Sequence, residues 1–345
     1  MPEQNKSRRF VSAEASPEEL QFEASLRPRT LADFTGQEKV KELLSVTIEA
    51  ARLRGEAMDH VLLIGPPGLG KTTLATIIAA ELGVPVDLSS GPLLQRKIDL
   101  TGILTNLRER QVFFIDEIHR LMPDVEEVLY SALEDFRIDV VIGQGPGART
   151  HSLPLHRFTG VGATTRQGLL SAPLRSRFGL ILYLKHYEVP EMTRIVMRAA
   201  RLLDTPIDTD AAEEIARRSR GTPRIANRLL RRVRDFAQVR ASGHITLAVA
   251  RQALDLLEVD PLGLDEVDKK IMLAILEKYG GGPVGLGTIA ASTDEEPDTI
   301  EEVYEPYLMQ LGFLDRTPRG RVGTPRAFEY FGVPLRPFPG QNRLF

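Results

Sequence analysis

His60-Val61-Leu62-Leu63-Ile64-Gly65-Pro66-Pro67-Gly68-Leu69-Gly70-Lys71-Thr72-Thr73 decides the fold of this chain. An apolar run passes directly into the spacing G-x-x-x-x-G-K-[ST] and then into helix-forming residues, which reads as strand, phosphate loop and helix. Glycines at 65, 68 and 70 let backbone N–H groups converge on an anion without Cβ obstruction, and the positive end of the helix starting near Lys71 adds a favourable field. Lys71 is placed to reach the β- and γ-phosphates of a nucleoside triphosphate. Thr72 carries the hydroxyl that this spacing offers to Mg²⁺, and Thr73 lies against the α-phosphate region. ATP and Mg²⁺ are therefore the expected ligands.

Working outward, short apolar runs at 84–88, 112–115, 158–163 and 180–184 alternate with helical stretches, one of them at 37–54 ahead of the loop. Short buried strands separated by helices predict a parallel α/β sheet covered on both faces. The first 25 residues are polar and aperiodic and are expected to form a disordered tail, with order beginning near Leu26-Arg27-Pro28. After Val189-Pro190 the chain becomes helical and arginine-rich. Segments near 190–203, 209–219, 223–242 and 246–257 predict a small four-helix domain, with Pro223 at a helix-compatible first position. A second boundary falls near Asp260-Pro261-Leu262-Gly263. Helices at 265–279, 285–292 and 297–311 and a hairpin over Gly312–Val322 then predict a winged helix-turn-helix. The expected division is a tail at 1–25, an ATPase domain at 26–187, a helical lid at 188–260, a winged-helix head at 261–333 and a tail at 334–345.

The 345 residues hold no cysteine, which removes disulfides and thiolate metal sites. No apolar run approaches the roughly 20 residues needed to cross a bilayer, and no signal-peptide core precedes the first domain, so no membrane partner and a cytoplasmic setting are expected. A net charge of −3 gives no blanket affinity for nucleic acid, so any such contact must come from a local basic patch.

Val112-Phe113-Phe114-Ile115-Asp116-Glu117 places two carboxylates at the carboxyl end of a buried strand, where α/β sheets bind ligands. Asp116 can hold Mg²⁺ through its water shell, and Glu117 can orient and deprotonate the water that attacks the γ-phosphate. With Glu117 as base, nearby His119 reads as structural. Gly162-Ala163-Thr164-Thr165-Arg166 ends another buried strand in hydroxyls, one of which can hold the attacking water or the γ-phosphate; Thr165 is preferred over Thr164. Arg177, after a short helix, is a candidate arginine finger reaching into a neighbouring subunit. Arg224, beside Gly221-Thr222-Pro223, is a candidate for the γ-phosphate of its own subunit.

These segments together resemble the AAA+ ATPases. Glu134-Asp135-Phe136, Ile142-Gly143-Gln144-Gly145-Pro146, Arg231–Ala237 and Arg316-Thr317-Pro318-Arg319-Gly320-Arg321 resemble in particular the RuvB family of Holliday-junction branch-migration motors, from about Leu26 to Gly332. The resemblance implies a homo-hexameric ring that converts ATP hydrolysis into translocation on double-stranded DNA at four-way junctions, in recombination and repair. It implies RuvA as partner, docked on a hairpin at 137–155, with RuvC a further candidate. It also implies adenine contacts from Leu26, Arg27 and Tyr187, and places Glu134, Asp135 and Phe136 near a neighbour's nucleotide. On the residues alone, Leu26-Arg27-Pro28 reads as a turn and Tyr187 as a core residue between domains.

A nucleotide-switched regulator or clamp-loader subunit would use the third head helix to read bases. Here that helix carries Asp298, Glu301, Glu302 and Glu305 and no cation, which makes it a poor major-groove reader. The cations lie in the hairpin instead: Arg316, Arg319, Arg321 and Arg326 face only Asp315 as opposing charge. Arg316 and Arg321 are the expected phosphate contacts, and backbone contact without base readout suits a translocating motor. A protein unfoldase is disfavoured because Ser89-Ser90-Gly91-Pro92-Leu93-Leu94, after the second strand, holds no aromatic residue.

Overall fold

The computed structural model describes residues 17–142 and 149–334 of the chain. Two compact units divide them, one over 27–187 and one formed by 188 onward together with the residues before 27.

A helix opens the described chain, α1 (Pro17–Leu26), where the sequence predicted a tail up to residue 25. Residues 1–16 and 335–345 lie outside the described residues. The α1 segment is helical because it docks. Phe22 lies under the guanidinium groups of Arg231 and Arg234, 4.9 and 5.9 Å from its ring centroid, and Glu23 is buried. Leu26 ends this helix rather than forming a turn, and its carbonyl accepts from Arg198 Nη1 at 2.8 Å.

In the unit over 27–187 the order is α2 (Glu38–Arg54), β1 (Val61–Ile64), α3 (Lys71–Leu82), β2 (Val86–Ser90), α4 (Lys97–Asn106), β3 (Val112–Asp116) and α5 (Pro123–Glu134). Strands β4 (Arg137–Ile142) and β5 (Arg149–Pro154), β6 (Thr159–Thr164), α6 (Ala172–Ser176) and β7 (Leu180–Tyr183) follow. Five strands form one parallel sheet in the order β2-β3-β6-β1-β7. Strands β1 and β6 are buried at every position, as their unbroken apolar and small residues require. The core on one side gathers Leu62, Phe113, Ile115, Leu129 and Phe158. Because the strands are parallel, the loops after β1, β3 and β6 leave the same edge: Ile64 pairs with Thr164, and Ile115 with Gly162. Strands β4 and β5 pair antiparallel as a separate ribbon, Ile138 opposite Leu153; the expected turn over 143–147 lies outside the described residues.

The other unit contains α7 (Val189–Leu202), α8 (Thr209–Arg217), α9 (Pro223–Arg240) and α10 (Leu247–Leu256). On α9 the buried residues Ile225, Ala226, Leu229, Leu230, Val233 and Ala237 recur at three- and four-residue intervals, and Arg228 is buried among them beside Glu23, while Arg224, Arg231, Arg232 and Arg234 are only partly buried. The winged helix follows: α11 (Glu266–Leu273), α12 (Leu286–Thr293), α13 (Pro297–Thr299), a wider turn at Ile300–Tyr304, α14 (Glu305–Gln310), strands β8 (Leu314–Thr317) and β9 (Gly320–Gly323), and α15 (Pro325–Phe331). Its core is built from Ile271, Ile275, Ile300, Tyr304, Leu308 and Phe313. Arg220, buried just before α9, donates from Nε to Gly263 O at 2.7 Å, pairs with Asp268 and lies over the Tyr307 ring at 4.8 Å, which ties the four helices to the winged helix.

Candidate functional site

The phosphate loop is a local consequence of its glycines. Gly68 and Gly70 adopt φ of +78° and +102°, which side chains with a Cβ rarely tolerate, and a Cβ on Gly70 would press on the Phe34 ring at 3.1 Å. Lys71 opens α3 almost fully buried, and its ammonium donates to Gly65 O at 2.7 Å and Pro66 O at 2.9 Å. Tyr187, also buried, donates its hydroxyl to Leu69 O at 3.2 Å, so it abuts the phosphate loop.

Across the sheet edge, Thr72 Oγ1 lies 3.4 Å from Asp116 Oδ2. Asp116 Oδ1 accepts the N–H of Glu117 at 2.9 Å. Glu117 itself sits at φ 47°, ψ 44°, a left-handed conformation that costs energy for a non-glycine residue and throws its side chain out of the strand direction. The Glu117 carboxylate accepts from Arg120 Nη1 at 3.0 Å. At the end of β6 the two threonines diverge. Thr164 Oγ1 is 2.9 Å from His119 Nδ1 and accepts from Arg166 N at 3.0 Å, whereas Thr165 Oγ1 is buried and has no partner among the described residues. A buried unpaired hydroxyl beside Asp116 and the glycine loop suits an oxygen ligand supplied from outside the chain. His119 is held below its ordinary pKa, by burial first and with Glu117 raising it in part, which matches a neutral structural imidazole.

A second group assembles at the far end of α5. Arg177 Nη2 donates to Glu134 Oε2 at 2.6 Å, so these two expected nucleotide neighbours stand together. Asp135 pairs with Arg137 at 3.2 Å. The Phe136 ring packs 5.8 Å from both His60 and Phe158, with Arg157 over it at 5.0 Å. In the other unit, Arg224 Nε lies 3.3 Å from Glu23 Oε2 and Arg228 Nε 3.4 Å from Oε1. This pairing was missed in the sequence, although Pro17 followed by two glutamates is a helix-start signal.

The wing corrects a further expectation. Arg321 is 9% exposed, donating from Nε to Glu305 Oε1 at 2.6 Å and from Nη2 to Oε2 at 3.2 Å, and Glu305 is 2% exposed. A guanidinium so engaged is a packing element rather than a phosphate contact. Arg316 pairs with Glu301 at 2.5 Å but stays about half exposed. Asp315 is thus not the only acid facing these cations; the third head helix supplies two more. Arg319, in the turn between β8 and β9, and Arg326, on α15, are exposed.

Among the described residues no group of three or more His, Asp or Glu side chains is arranged to hold a metal alone, and no helix is long and apolar enough to cross a membrane. The Thr72–Asp116 pair fits a cation whose other ligands come from phosphate and water.

Comparison with known proteins agrees with this geometry. The Holliday junction DNA helicase RuvB P-loop domain matches residues 26–184, the RuvB AAA lid domain residues 187–260, and the RuvB C-terminal winged helix domain residues 261–332. The Holliday junction branch migration complex subunit RuvB of Solibacter usitatus is 70% identical over 326 residues, which are 94% of this chain and 95% of that protein. The corresponding subunit of Koribacter versatilis is 61% identical over 98% of this chain and 93% of its own length. The solved Thermotoga maritima RuvB Holliday junction branch migration motor superposes with a TM-score of 0.83 at 53% identity, covering 90% of this chain and 100% of that one. The chain belongs to the RuvB family of AAA+ P-loop ATPases.

Proposed function

We propose that this chain is the motor subunit of a homo-hexameric ring that hydrolyses ATP to drive branch migration of four-way DNA junctions. RuvA is its partner and RuvC a candidate third component, in the cytoplasm. The proposed division of labour assigns nucleotide chemistry to 26–187, the lid to 188–260 and DNA contact to the head at 261–333. The observation that carries the reading is the convergence of Lys71, Thr72, Asp116 and the unpaired Thr165 hydroxyl on one sheet edge around a glycine loop.

In this reading the N–H groups of 68–73 cradle the phosphates, and Lys71 exchanges its two loop carbonyls for β- and γ-phosphate oxygens. Mg²⁺ would be held by Thr72 directly and by Asp116 through water, and would neutralise charge on the phosphates. Thr165 holds the attacking water or a γ-oxygen. Glu117 leaves Arg120 and takes the proton of that water, and Arg177 of the adjacent subunit stabilises the transferring phosphoryl group. Leu26, Arg27 and Tyr187 take the adenine, Tyr187 supported by its contact with the loop at Leu69. Arg224 takes the γ-phosphate in place of Glu23. Arg319 and Arg316, with Arg326, are the proposed DNA phosphate contacts, replacing the pair Arg316 and Arg321.

The test is ATP turnover and junction dissociation on linear duplex and on four-way junctions, each with and without RuvA. The expected result is turnover that rises with DNA and junction movement that needs RuvA. A chain that hydrolyses ATP but moves no junction with RuvA present would overturn the reading in favour of a nucleotide-switched regulator.

A further inference from the structure

We infer that Tyr130 is a positioning residue for Arg177, a shelf on which the guanidinium stays aligned while its hydrogen bonds change partner. The inference rests on the proposed trans role of Arg177.

Glu126, Tyr130 and Glu134 recur every four residues along α5 and so share one face of that helix. Glu126 Oε1 accepts short hydrogen bonds from both the Tyr130 hydroxyl and Ser171 Oγ, and these two oxygens lie 2.9 Å apart. Ser171 is also the N-cap of α6, accepting from Leu174 N at 3.2 Å. The same face therefore grips the start of α6 through Glu126 and its end, where Arg177 sits, through Tyr130 and Glu134. Burial first, and the Glu126 hydrogen bond second, raise the Tyr130 pKa, so the phenol stays a donor.

The Arg177 guanidinium carbon lies 5.0 Å from the Tyr130 ring centroid. Its Nη2 is bound to Glu134 and its Nη1 to Pro173 O at 2.7 Å. The Glu134 side chain is 59% exposed and can give way. Contact with an aromatic face uses no N–H donor. When the fork turns from Glu134 to a phosphoryl oxygen, the ring contact persists and the hydrogen-bonded partner does not. That persistence is what aligns the finger before charge develops.

The experiment compares Tyr130→Met, which fills a similar volume without a π face, with Tyr130→Phe, which keeps the ring, in assembled rings. Tyr130→Met should lower kcat for ATP about fivefold with KM unchanged, and Tyr130→Phe should restore most of it. Adding Tyr130→Met to Arg177→Ala should cost nothing more. With Lys71→Ala subunits in excess, each Tyr130→Met subunit receives an intact finger from its neighbour. Its turnover should then match wild type diluted in the same way. Equal kcat for the Met and Phe variants, or a deficit that Lys71→Ala neighbours do not repair, overturns the inference. Arg177→Ala alone at wild-type turnover would instead overturn the trans reading of Arg177.

Discussion

Replacing Arg321 by Ala removes the cation of a buried bidentate pair, whereas replacing Arg319 by Ala removes an exposed one two residues before it in the same wing. The structure makes these substitutions opposites. Loss of Arg321 strands the Glu305 carboxylate, 2% exposed, and stranding a buried charge costs about 3–5 kcal/mol. At ~3 kcal/mol the equilibrium for opening the wing rises by roughly 10²-fold, since every 1.4 kcal/mol is tenfold. The amides that report it are Val284 and Arg321, which bond to each other's carbonyls at 2.9 and 2.8 Å. Their hydrogen exchange should accelerate by that factor in Arg321→Ala. The double variant Glu305→Met, Arg321→Met should recover much of the protection, because neither charge is then left alone. Arg319→Ala should leave exchange within about 0.5 kcal/mol of wild type and reduce the slope of log affinity for duplex against log salt by about 0.9, uniformly across sequences. Anisotropy of a labelled duplex between roughly 50 and 200 mM salt measures that slope. Unchanged exchange in Arg321→Ala, together with a slope reduced by one contact, would refute the reasoning and return Arg321 to the DNA.

Lys71→Ala should weaken nucleotide binding and abolish turnover, while Glu117→Gln should bind ATP and hydrolyse it about 10²–10⁴-fold more slowly; near wild-type turnover in Glu117→Gln removes the base assignment. His60, buried, accepts Gly160 N–H on Nδ1 at 2.8 Å and contacts Leu133 O through Nε2 at 2.9 Å, and burial lowers its pKa below 6.5. The unfolded chain therefore binds this proton more readily, so the contribution of His60 to stability is complete above about pH 6.5 and is lost as pH falls below it. The dependence of Tm on pH below that point should be shallower in His60→Asn, and an identical slope would count against the linkage. Ile142→Glu, at the end of β4, should abolish stimulation by RuvA and leave basal ATPase intact, and undiminished RuvA binding by this variant argues against docking there.

Features encoded in consecutive residues were legible before folding. The glycine spacing, the four apolar residues before Asp116 and the alternation of short apolar runs with helices each constrain a few consecutive residues, and each appears in the sheet as read. Thr165 could be preferred over Thr164 but not argued from spacing, because the two are neighbours at the end of one strand; the contact that occupies the Thr164 hydroxyl comes from His119, 45 residues away, and no spacing announces it. The arginines divide the same way. A cation in a hairpin carries no mark of whether its partner is a phosphate or a carboxylate from another element, and only packing against α14 turned Arg321 inward while Arg319 stayed in solvent. Glu23, in a segment whose composition suggested a tail, became helical and buried because two arginines of α9 neutralise it. Tyr130 became visible only when α6 folded across α5. Local conformation follows from neighbours in the chain, but the partner of a charge is chosen by tertiary proximity and by the cost of leaving that charge dry.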